Sequence, residues 1–132
     1  MSFEQIGVIN DTVINQLNLT ISPTPIFIGK SNIDHMIKEH PEDFNKYGCY
    51  LEEIISSPDY VSLHPNNGSI QYIKVFFDED NEKHVLVAVR ATKKGVFFAR
   101  SLFVMSDLKV KSYTNKGMLK KCVVPKQKTT TE

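Results

Sequence analysis

The chain has 132 residues, 41% hydrophobic and 23% charged, which suits one domain with a buried core and excludes a disordered chain. Residues 1–61 hold 3 Lys/Arg against 9 Asp/Glu and residues 62–132 hold 13 against 6, so the net charge of +1 conceals an acidic half and a basic half. No apolar run approaches the roughly 18 residues of a membrane-spanning helix, and MSFEQIGVIN carries no basic segment followed by an apolar one, so a cytoplasmic protein without membrane association is expected.

Residues 1–25 read as an N-terminal arm with one possible strand around Leu17, Leu19 and Ile21, closed by Pro23 and Pro25. The apolar run Ile26-Phe27-Ile28 ends at Gly29, and Ser31 with Asp34 three residues on resembles a capping box for a helix that reaches about His40. Pro41 stops that helix and, with Glu42 and Asp43 behind it, starts a second one. Gly48 should interrupt this helix, and Tyr50, Leu51, Ile54 and Ile55 form an apolar stripe that ends before Pro58. Four β-rich runs follow, over residues 60–63, 69–77, 83–92 and 96–105, separated by the turn-forming HPNNG, DEDN and KKG.

A helical pair before a four-stranded antiparallel meander makes an α+β domain, N-terminal helices packed on one sheet face, over residues 26–118. Ser106 is placed to cap a short helix, and residues 119–132 read as a basic, disordered tail. In the third run Val85, Val87, Val89 and Ala91 form a core-like face, and Leu86, Ala88, Arg90 and Thr92 a more open one. In the fourth, strict alternation groups Arg100 with Phe98 and Leu102, and Ser101 with Ala99 and Phe103. Cys49 and Cys122 stand apart, without cysteine neighbours, so neither a zinc pair nor a disulfide framework is suggested.

The sharpest local pattern is GKSNIDHMIKEHP, residues 29–41. His35 and His40 are about 140° apart on an ideal helix, which is not the i, i+4 spacing of a zinc pair. His64 and His84 are only generic further ligands, so no metal is expected. Proton transfer is the better use of such imidazoles, although a histidine on an amphipathic helix is commonly a surface or capping residue. Arg90 and Arg100 lie within strands, where a guanidinium either faces solvent or is aimed at a fixed anion such as phosphate. Ser101 adds a hydroxyl without a GxSxG elbow around it. Lys30 precedes a helix start, and Lys74 falls mid-strand, where the alternative role is a rim lysine whose stem covers apolar surface. Among the five tyrosines, Tyr60 and Tyr72 stand out because they precede or accompany the basic strand residues.

Taken together, GKSNIDHMIKEHPEDF, LEEIISSPDYVSLHP, SIQYIKVF, VLVAVRAT and GVFFARSLFVM resemble the phage-associated branch of the barnase, EndoU, colicin and RelE-like (BECR-fold) nuclease superfamily, over about residues 26–105. Threonine often follows the last-strand arginine there; Ser101 keeps the hydroxyl. The resemblance implies a BECR-like ribonuclease fold and endoribonuclease activity without a cofactor, by 2′-hydroxyl attack to a 2′,3′-cyclic phosphate. It implies a toxin or mobile-element role, RNA (tRNA included) as substrate, and an antitoxin or immunity protein as partner. It assigns proton transfer to His35 first and His40 second, phosphate contacts to Arg90, Arg100 and Ser101, and substrate binding to Lys30, Tyr60, Tyr72 and Lys74. The alternative is an inactive RNA- or protein-binding module on the same fold.

Overall fold

A computed structural model describes residues 2–122. The segment expected to be an arm is instead integral to the fold. β1 (Phe3–Ile9) is followed by α1 (Asp11–Leu17) and then β2 (Thr24–Gly29), which pairs antiparallel with β1. Asn10 caps α1 by accepting from the Val13 N–H, and Asn18 closes it in the left-handed region at φ 54°. Ile6, Ile9, Val13, Ile14 and Leu17 are buried, so this unit contributes directly to the core. Gly7 lets β1 lie close to the next layer, because a Cβ there would stand 2.7 Å from Ile55 Cγ2.

The helical region begins at α2 (Lys30–Glu39), and α3 (Pro41–Tyr47) starts with the proline in its first turn. The cap of α2 differs from the expected one: the Asn32 side chain accepts from the Gly29 N–H at 2.8 Å, while Ser31 and Asp34 lie inside the helix. A 3-10 turn over Gly48–Tyr50 interrupts the chain before α4 (Leu51–Ser56). The meander then follows as β3 (Tyr60–Leu63), β4 (Ile70–Asp78), β5 (Asn81–Ala91) and β6 (Phe97–Val104). Glu79 and Asp80, both at positive φ, make the tight β4–β5 hairpin. Ser106 caps α5 (Asp107–Asn115) by accepting from the Lys109 N–H, and β7 (Lys120–Lys121) adds a short last strand to β3.

The sheet thus has seven strands rather than four, in the order β1-β2-β6-β5-β4-β3-β7. The expected meander is its middle and one side, and the misread arm supplies the other side. Of the expected tail, Lys120 and Lys121 are in the sheet, and residues 123–132 lie outside the described residues.

One face of the sheet carries Val85, Val87, Val89, Tyr72, Ala99 and Leu102, which are buried in one core with α1, α2 and α4. On the opposite face a smaller cluster of Ile73, Leu86, Met105 and Tyr113 forms where α5 lies. α5 covers only that end. The remainder of this second face stays open, and it is the half that carries Arg90.

Candidate active site

Cross-strand register decides which side chains share the open face. Ser62 lies opposite Gln71, Gln71 opposite Ala88, and Ala88 opposite Ser101, a row across β3, β4, β5 and β6. The next row toward the β2 side places Arg90 opposite Phe98, which in turn lies beside Phe27.

These rows coexist because β6 is bulged. Ala88 pairs with Ser101 but Val89 pairs with Ala99, leaving Arg100 as the extra residue. Ala99 and Leu102 both reach the core although they are three apart, and the residues between them turn to the other side. This corrects the strict alternation expected for β6: Ser101 and Phe103 share the open face with Phe98, whereas Leu102 does not. The bulge brings Arg100 and Ser101 to one cavity.

That cavity has a volume of about 260 Å³, and its wall includes Arg90, Arg100, Ser101, Gln71 and His64. Ala88 forms part of its floor, where a larger side chain would fill the space. Among the described residues no carboxylate lines it. Among the described residues, neither guanidinium forms a salt bridge, since the ion pairs all involve lysine. Two arginines beside a hydroxyl are chemically suited to an anion, since planar guanidinium forks match the geometry of phosphate oxygens.

Two lining residues had no role in the sequence reading of this cavity. Gln71 is 3% exposed, and its Oε1 accepts from Ser62 Oγ at 2.6 Å. The amide nitrogen, with no protein partner among the described residues, is left as a donor at the cavity wall. His64 Nδ1 accepts from the backbone N–H groups of Asn66 and Asn67, at 3.1 and 3.3 Å. That bonding puts the ring proton on Nε2. A polar Gln71 between Ile70 and Tyr72 was one available sequence signal, and the HPNNG turn, which holds His64 through Asn66 and Asn67, was another.

α2 and α3 border this face because β2 leaves β6 after only two paired residues, Ile26–Phe97 and Phe27–Phe98. The helices take over the exposed edge of β6, and Asp43 Oδ2 accepts from the Val104 N–H at 2.9 Å. The turn between them sets His40 against Phe103, with ring centroids 5.1 Å apart, and Phe103 is itself part of the cavity wall. His35 is exposed and lies one helical turn beyond Ser31 on the same side of α2. Ser31 borders a groove that includes Arg100, so the same helix side passes the site. Of these two histidines, His40 is the one packed against the cavity wall, of which His64 is itself a part.

The other candidates divide. Lys30 borders the neighbouring groove, and its ammonium bonds Asp34 at 2.8 Å, an interaction that raises its pKa. Tyr60 is on the open-face side but stacks with His84, centroids 6.3 Å apart, toward the end covered by α5. Tyr72 and Lys74 are on the opposite face, which corrects their expected substrate role. Lys74 Nζ donates to the Ser57 carbonyl at 2.8 Å, capping the end of α4. Tyr72 is fully buried, and burial raises its hydroxyl pKa, with Cys122 a smaller cause.

The Tyr72 hydroxyl finds no hydrogen-bond partner among the described residues. Tyr72→Phe is therefore expected to leave stability unchanged or raise it by about 1 kcal/mol, since it removes an unsatisfied buried group and keeps the ring. Urea unfolding checks this; a loss of more than about 1 kcal/mol would mean that the hydroxyl has a partner.

Among the described residues no three His, Cys, Asp or Glu side chains gather as a metal cluster, and no helix is long and apolar enough to cross a membrane. No curated protein and no solved structure matches the chain significantly. A family does: residues 4–112 match the model of PBECR3, described as phage-Barnase-EndoU-ColicinE5/D-RelE like nuclease3. The match spans most of the chain, from β1 into α5, including the bordering helices and every residue of the arginine cavity, so the chain belongs to this phage-associated nuclease family.

Proposed function

We propose that this nuclease is an endoribonuclease that cleaves by internal transesterification. The carrying observation is the open-face cavity in which Arg90, Arg100 and Ser101 meet with Gln71 and no carboxylate. A donor-lined wall suits the non-bridging oxygens of a phosphodiester, where negative charge grows in the transition state. Magnesium-dependent phosphoryl chemistry uses carboxylate ligands, and the lining of this cavity favours guanidinium stabilisation instead.

In the proposed reaction a base removes the ribose 2′-hydroxyl proton and the O2′–P bond forms. The P–O5′ bond breaks, and an acid protonates the departing 5′-oxygen. The products are a 2′,3′-cyclic phosphate and a 5′-hydroxyl. Arg90 and Arg100 hold the phosphate, Ser101 donates to it, and His40 carries one proton transfer, with His35 on the same helix as the candidate for the other. RNA in the cytoplasm, tRNA included, is the proposed substrate class. A producing cell would need protection, which makes a neutralising antitoxin or immunity protein the proposed partner and a toxin or mobile-element role the proposed context.

The test is incubation of purified protein with total RNA and with a tRNA pool in excess chelator, beside His40→Ala and His35→Ala, with product ends mapped. Cyclic-phosphate ends are expected with the wild type. His40→Ala is expected to reduce their formation about 10²- to 10⁴-fold, the usual contribution of a positioned acid or base. A fully active His40→Ala beside an inactive His35→Ala would transfer the role to His35. Intact RNA, from protein shown to be folded, would overturn the enzymatic reading in favour of a binding module on the same fold.

A further inference from the structure

The arginine cavity does not end at Arg100. The same side chain borders a second groove of about 580 Å³, whose wall also includes Phe3, Phe98, Lys30, Ser31 and Thr92. Three phenyl rings meet beside it. Phe3 contacts Phe27 and Phe98 edge to face, with centroids 5.2 and 5.3 Å apart, and Phe27 lies 6.1 Å from Phe98.

The rings come from β1, β2 and β6, three neighbouring strands; Phe27 and Phe98 lie in one cross-strand row with Arg90, and Phe3, opposite Gly29, flanks that row. The open face thus changes from aromatic to cationic along one line. Phe3 is 51% exposed despite its two ring neighbours, so a flat apolar surface remains in contact with water. Its occupant must be apolar on its faces and tied to an anion, because the groove shares a wall with Arg100, whose guanidinium pairs with no carboxylate among the described residues. A nucleotide meets both requirements: its base is joined through one sugar to its phosphate, and every base presents a π-face for stacking.

We propose that this groove is a nucleobase subsite, in which the base next to the phosphate held by Arg90 and Arg100 stacks on Phe98 and Phe3. The proposal rests on the nucleic-acid reading of the arginine cavity and extends it: the substrate enters as a single strand, since a paired and stacked base cannot reach the rings. Lys30 stands at the groove's rim, where its ammonium is held by Asp34.

The test measures binding of a fluorescent single-stranded tetranucleotide at low salt, its 2′-hydroxyls replaced by hydrogen to prevent cleavage. The intact strand is compared with four strands that each lack one base. Proteins are the wild type, Phe98→Leu, Phe3→Leu, Phe3→Trp and Arg90→Ala, each checked for folding by circular dichroism. Loss of the base at one position should weaken wild-type binding about tenfold. Phe98→Leu and Phe3→Leu should weaken the intact strand by a similar factor and leave the strand lacking that base unaffected; Phe3→Trp should bind like the wild type. Arg90→Ala should weaken all strands alike. If Phe98→Leu fails to fold, Phe3→Leu decides, because Phe3 is at the surface.

Equal wild-type binding of all five strands, with Arg90→Ala still weakening them, would overturn the base subsite and leave the phosphate site standing. No wild-type binding of any strand would overturn the nucleic-acid reading itself and the subsite with it.

Discussion

Arg90→Ala is expected to lower the rate of RNA cleavage about 10²- to 10³-fold, the cost of removing one preorganised donor from a developing oxyanion. Arg100→Ala should do the same. Neither change should cost much stability, because both side chains are only partly buried and neither is held by a carboxylate among the described residues. Removing one of two neighbouring cations also relieves their mutual repulsion, so thermal midpoints should stay within a few degrees of the wild type. Both guanidiniums serve one phosphate in this reading, so the double variant should lose less than the product of the single losses. Arg90→Lys should recover only part of the rate, since a point charge cannot reproduce a two-oxygen fork. Single-turnover cleavage beside thermal unfolding separates these outcomes. An Arg90→Ala variant that is folded and fully active would remove the phosphate role from this cavity.

The alternation of Val85, Val87 and Val89 against Leu86, Ala88 and Arg90 was readable because β5 is a regular central strand, covered by helices on one side and only partly covered on the other. Pro41 likewise marked the α2–α3 break through local geometry alone. β1 and β2 were harder to recognise. Their apolar residues alternate only over short stretches, and Pro25 within β2 argued for a loop, yet β2 tolerates it because tertiary pairing with β1 sets the conformation. β1 pairs with the next strand along the chain, but α1 stands between the two, so no short hairpin turn marks the pairing. The same holds for the site. The arginines and histidines stood out by residue type, whereas the Gln71–Ser62 bond and the bulge at Arg100 depend on the register between neighbouring strands. Lys74 and Tyr72 were misplaced for a related reason: alternation separates two faces but does not say which one the helices cover.

The bulge makes a second large effect predictable. Leu102→Ala is expected to cost about 2–5 kcal/mol, because the side chain is fully buried in the principal core and truncation leaves a cavity there. Phe103→Ala should cost less, since that ring is only partly buried against the smaller cluster and the cavity wall. Regular alternation through β6 would reverse the order: Leu102 would share the open face with Phe98 and Arg100, and Phe103 would enter the core. Urea unfolding of the two variants therefore reads the register directly. A nearly neutral Leu102→Ala would mean that β6 is not bulged. Ser101 would then face the core with Ala99, and the hydroxyl could not stand beside Arg90. The chemistry proposed for the cavity thus depends on one extra residue in one strand: Arg100 supplies a guanidinium and, by interrupting the alternation, turns Ser101 toward the same phosphate.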